Sequence, residues 1–89
     1  MTVKVNNRYP LPGNGILIKK SCSIKIVTRP GLFSYKIQNE SGKMLSTEFF
    51  VNTITVPFKK SFFGGNAWLL IRAENATDEV IDIEVTISA

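Results

Sequence analysis

Five carboxylates fall within eleven residues near the C-terminus of this chain: Glu74, Asp78, Glu79, Asp82 and Glu84. Asp82 and Glu84 are two residues apart, so on an extended strand they share one face. Hard oxygens so placed suit a weak Ca²⁺ site, but the ligand order of an EF-hand is absent. Acidic residues at alternate positions also describe the wetted face of an ordinary strand, and no metal or cofactor is expected. Other chemistry is narrowed further by composition. The 89 residues include no histidine and one cysteine. That removes the commonest general base, the commonest zinc ligand, every Ser-His or Cys-His pair, and any intrachain disulfide. Lys20-Ser21 and Lys60-Ser61 lack the Ser-x-x-Lys spacing of a nucleophile with its base. Gly13-Asn14-Gly15 and Gly64-Gly65 are glycine-rich, but neither opens a helix whose N-terminus would bind phosphate. No catalytic residue is nominated, and the chain is expected not to be an enzyme.

What these residues are mounted on follows from periodicity. Alternation of apolar and polar residues runs through most of the chain, whereas no helical stripe exceeds a turn or two. Ile81, Ile83, Val85 and Ile87 alternate with Asp82, Glu84, Thr86 and Ser88, a half-buried strand. Cys22, Ile24 and Ile26 alternate with Ser23, Lys25 and Val27, so Cys22 reads as a small buried hydrophobe. Phe33, Tyr35 and Ile37 form a third series, and Ile54, Val56 and Phe58 a fourth. The run from Ala67 to Ala73 is apolar on both parities up to Arg72, as in a central strand covered on both sides. Strands are expected at 2–6, 15–20, 22–29, 32–38, 44–51, 53–58, 67–74 and 79–88, about seven in all if one early pair is continuous.

Arg29-Pro30-Gly31, Asn39-Glu40-Ser41-Gly42 and Asn75-Ala76-Thr77-Asp78 are short turns, too short for crossover helices, so the strands pair antiparallel. Two of these turns match the N-glycosylation pattern, but Asn, Ser and Thr are ordinary turn residues. The expected fold is all-β: one compact antiparallel β-sandwich, Ig-like or jelly-roll-like, with a small OB-type barrel as the alternative. Residues 1–14 are read as an N-terminal strand with an extended proline-containing arm, and residues 15–89 as the sandwich.

Two segments depart from the pattern and are candidate interaction sites. Tyr9, Pro10, Leu11 and Pro12 make a pre-organised extended arm that would lose little entropy on docking to a neighbour. Phe62 and Phe63, beside Gly64-Gly65, are either a core plug or an anchor for a partner. A candidate basic face gathers Lys19, Lys20, Lys25, Arg29 and Lys36, with Phe33 and Tyr35 nearby. Those rings share a parity opposite to Lys36 and so point inward if Lys36 is wet.

The net charge of +4 conceals a split: residues 1–45 carry +7 and residues 46–89 carry −3. Kept apart, such halves would steer an acidic partner or a second copy packed head to tail. Interleaved, they would pair across a wetted face and do no more than aid solubility.

These features favour a non-enzymatic structural or interaction module within a larger assembly, binding a protein partner or identical subunits. In size and architecture the chain resembles the small β-sandwich auxiliary and decoration proteins of tailed-phage particles, a likeness of the whole chain that no motif carries. The alternative is a small β-barrel that binds single-stranded nucleic acid. A third reading is a carbohydrate- or surface-binding sandwich, with Trp68 or Phe62-Phe63 as its stacking platform. No apolar leader follows Met1 and the longest apolar runs are five residues, so a cytoplasmic or virion location without membrane contact is expected.

Overall fold

A computed structural model describes residues 1–8, 15–28, 31–39, 51–75 and 77–89. Seven strands and one helical turn follow in order: β1 (Thr2–Val5), β2 (Ile16–Ile18), β3 (Cys22–Thr28), β4 (Phe33–Asn39), β5 (Thr53–Phe58), α1 (Lys60–Phe63), β6 (Ala67–Ala73) and β7 (Ile81–Ser88). All strand pairs are antiparallel. One sheet has the order β1-β7-β3-β5 and the other β2-β6-β4. The pairs β1·β7, β2·β6 and β3·β5 are those of a chain doubled back on itself as one long hairpin. Rolling that hairpin up adds β3·β7 and β4·β6 and sends odd strands to one layer and even strands to the other.

This is jelly-roll wiring. An Ig-type sandwich would set the first two strands side by side, whereas here they lie in different sheets. The OB-type alternative is not formed either, because the two sheets remain separate layers and do not close into a barrel. Of the expected strand at 44–51, only Val51 lies within the described residues, and it bridges Phe33 on the edge of β4.

The core is what the alternation demands. Ile24 and Ile26 of β3, Ile83 and Val85 of β7, Ile37 of β4, and Leu69 and Ile71 of β6 have no exposed surface. Val56 and Phe58 close the core from β5, with Val5 from β1. Where β1 ends, the Asn6 carbonyl accepts the Ala73 N–H at 2.7 Å, tying the first strand of one sheet to the middle strand of the other. Residues 1–8 are therefore built into the sandwich. Pro57 sits on β5 at the sheet edge, where a missing N–H is tolerated and discourages further pairing.

Two expectations need revision. β6 is central in its sheet, but only one face is in the core; Trp68, Leu70 and Arg72 on the other parity are half-buried. Ser34, expected on a wetted parity, is buried because its hydroxyl donates to Glu74 Oε1 at 2.6 Å, and Arg72 also donates to that oxygen from Nε at 3.1 Å and NH2 at 2.8 Å. Burial pushes the Glu74 carboxyl up, but the Ser34 and Arg72 hydrogen bonds and the Arg72 charge outweigh it and hold the group below its ordinary value. Among the described residues, no helix is long and apolar enough to cross a membrane.

Candidate interaction surface

The strand registers bring three chain segments to one end of the sandwich. Cys22 is opposite Phe58, and Ser23 is opposite Ser88, so the β2–β3 turn, the start of α1 and the end of β7 converge there. The junction is fastened by hydrogen bonds: the Lys60 N–H donates to Ser21 Oγ at 2.9 Å, and Asn39 Nδ2 donates to the Phe63 carbonyl at 2.5 Å. Helix α1 has no side-chain cap of its own, so Ser21 caps its first turn from a distant part of the chain. Gly64, at φ 73°, ends the helix in the left-handed conformation that glycine adopts without strain.

This geometry gathers four exposed lysines: Lys19 and Lys20 from the β2–β3 turn, Lys59 and Lys60 from the start of α1. Among the described residues this end carries no Asp or Glu. Between the end of β7 and the β2–β3 turn lies a cleft of about 340 Å³, lined by Leu17, Ile18, Lys19, Lys20, Cys22 and Ile87, among others. Ile87 has the inward parity of Ile83 and Val85 but is 40% exposed, since the strand runs past the end of the core. Burial raises the Cys22 thiol above its ordinary pKa, so it stays protonated and apolar at neutral pH.

The aromatic pair divides. Phe63 is buried, stacked on Phe58 with centroids 5.1 Å apart and planes at 20°. Phe62 is 53% exposed and meets Phe63 edge-on at 5.2 Å. One ring is therefore a core plug and its neighbour is surface. The two alternatives drawn from sequence each describe one of them, because a single helical turn points adjacent residues in different directions.

The candidate basic residues are not brought onto one face. Lys19 and Lys20 are at the cleft, Lys25 is on the outer face of the four-stranded sheet, and Lys36 is on the outer face of the three-stranded sheet. Phe33 and Tyr35 are buried in the core, as their parity requires. Tyr9, Pro10, Leu11, Pro12 and Arg29 lie outside the described residues. Trp68 is half-buried on the outer face of the three-stranded sheet, between Leu17 and Gln38 on the adjoining strands.

On the four-stranded sheet the basic and acidic halves interleave, for acidic β7 lies between β1 and β3. Lys4 Nζ meets Asp82 Oδ1 at 3.0 Å, and Thr2 Oγ1 donates to Glu84 Oε1 at 2.5 Å. A shallow depression of about 470 Å³ here is lined by Lys25, Val27, Asp82, Glu84 and Thr86, and its two carboxylates are engaged by these neighbours. No cluster of three or more His, Cys, Asp or Glu suited to a metal ion is found among the described residues. Along the strands the charges are distributed differently, although exposed Arg8, just past β1, shares the end away from the lysines. Opposite the lysines, the β6–β7 connection exposes Asp78 and Glu79 beside Val80, itself 47% exposed.

Compared with protein-family models, curated proteins and solved structures, the chain matches none of them at a significant level.

Proposed function

We propose that this chain is a non-enzymatic interaction module that works within a larger assembly, and that the lysine-rich end is its contact surface. The observation that carries the reading is the coincidence, at one end, of an apolar cleft, exposed Ile87 and Phe62, and four lysines. Apolar surface ringed by one sign of charge suits a protein contact: the apolar centre supplies affinity, and the rim steers and orients the partner. A decoration or auxiliary subunit of a virion-type particle is the most concrete form of this reading, supported by small size and jelly-roll wiring. Those features are shared with other functions, so fold alone does not carry it.

The test is mass by light scattering together with recovery from the native source, using the intact chain and a K19E/K20E variant. The proposal expects the intact chain in a complex or particle and the variant depleted from it. A strictly monomeric chain associated with nothing would overturn it. A second reading is favoured by the same lysines beside exposed Phe62: phosphates tracked by cations while a base stacks on the ring. A salt-sensitive mobility shift with a single-stranded oligonucleotide would support that reading, and no shift at low salt would remove it.

A further inference from the structure

The acidic β6–β7 connection is complementary in charge to Lys19 and Lys20 at the far end of the strands. Asp78 and Glu79 are exposed, and none of their side chains forms an ion pair among the described residues. Val80, next in the chain, is one of the few large apolar side chains left exposed. At the other end Lys19 and Lys20, without ion pairs among the described residues, border a cleft lined also by Leu17, Ile18 and Ile87. The two features are separated by the length of β7, roughly 27 Å at ~3.4 Å per residue, so a chain cannot satisfy itself. A second copy can.

We infer that the lysine-rich cleft receives the Asp78-Glu79-Val80 segment of a second copy of this chain, which packs the subunits head to tail. This deepens the proposed function, and it rests on reading the cleft as a contact surface. Val80 would enter the cleft against Leu17 and Ile87, and the two carboxylates would meet Lys19 and Lys20 at the rim. The contact joins different surfaces of the two subunits, so it is heterologous: it leaves one free cleft and one free acidic segment at opposite ends. Repetition then gives a ring if the rotation closes and a filament if it does not. The two other acidic groups flanking the segment are already engaged within the subunit, Glu74 by Arg72 and Asp82 by Lys4. That leaves Asp78 and Glu79 as the pair available to a neighbour.

The test uses the whole chain and two charge-reversed variants, K19E/K20E and D78K/E79K, all at exposed positions. Sedimentation equilibrium of the unaltered protein should show concentration-dependent association that weakens about tenfold or more between about 50 and about 500 mM salt, as screening of a rim contact requires. Each variant alone should be monomeric, because positions 19–20 and 78–79, which would meet at the contact, then carry the same sign. An equimolar mixture of the two should associate again, since positions 19–20 of each variant are opposite in sign to positions 78–79 of the other. Circular dichroism of each variant should match the unaltered protein, so that loss of association is not loss of fold.

A monomeric unaltered protein at low salt, or variants that associate alone as well as it does, would overturn the inference. So would a mixture that fails to recover association. If the unaltered protein stays monomeric while K19E/K20E is still depleted from a native particle, the contact-surface reading stands and only the second copy is excluded as its occupant. Oligonucleotide binding lost in K19E/K20E by a protein that remains monomeric would overturn both in favour of nucleic acid.

Discussion

Ser21 and Lys60 are 39 positions apart, yet the Lys60 N–H donates to Ser21 Oγ at 2.9 Å, and this bond sets the two lysine-bearing turns beside each other. Replacing Ser21 by alanine removes the cap from the first turn of α1. The expected loss is about 0.5–1.5 kcal/mol of stability, read from urea unfolding. Hydrogen exchange at the Lys60 amide should quicken more than at β-strand amides in the core. An unchanged Lys60 exchange rate would show that the bond does not order the helix.

The division between Phe62 and Phe63 is testable by stability alone. Phe63→Ala empties a site packed on Phe58 and should cost about 3–4 kcal/mol. Phe62→Ala forfeits an edge contact at the surface and should cost less than about 1 kcal/mol. Equal losses in the two variants would mean both rings serve the core.

Gly15 combines two constraints. Its φ is +77°, and a Cβ at this position would fall on the Leu69 carbonyl oxygen of β6. Gly15→Ala should therefore destabilise by ~1–3 kcal/mol, with the strain concentrated where β2 joins β6. Gly64→Ala is the informative control, because φ is also positive there but nothing lies within 4 Å of an added Cβ. The smaller loss is expected at Gly64.

Glu74 makes the fold sensitive to acid. Its folded-state pKa is depressed, so its contribution to stability is complete above the unfolded value of about 4.3 and disappears as pH falls through the lower folded value. Urea midpoints of the unaltered protein and Glu74→Gln should differ most above about pH 5 and converge as the pH is lowered. A constant difference across that range would show that the carboxylate charge is not what Ser34 and Arg72 stabilise.

Much of the sandwich was legible from alternation, because a strand with one wet face must place apolar residues at every second position. β3, β4 and β7 carry that pattern, and it selects Ile24, Ile26, Phe33, Tyr35, Ile37, Ile83 and Val85, all buried, while Ile87 keeps the parity but runs past the core. Helix α1 is not legible in the sequence, since four residues are too few to establish a helical period. Buried Ser34 was missed because its partners, Glu74 and Arg72, lie some forty positions away and alternation describes only one strand at a time. The charge split in sequence left open whether the two halves stand apart or interleave. On one sheet β7 interleaves between β1 and β3, while the turns place Lys19, Lys20, Lys59 and Lys60 at one end of the strands and Asp78 and Glu79 at the other. Strand pairing is non-local, so composition by halves could not show which direction the charges would divide.

That same interleaving places a condition on when the molecule can exist during its own synthesis. The four-stranded sheet has its last strand in an interior position, with β1 on one side and β3 on the other. A growing chain that has not yet released residues 81–88 has, among the described residues, no sheet partner for β1 and leaves one edge of β3 unpaired. Folding of this sheet is therefore completed only after those residues leave the ribosome. Stop codons that remove β7, at positions 81–84, should yield insoluble product rather than a shortened sandwich.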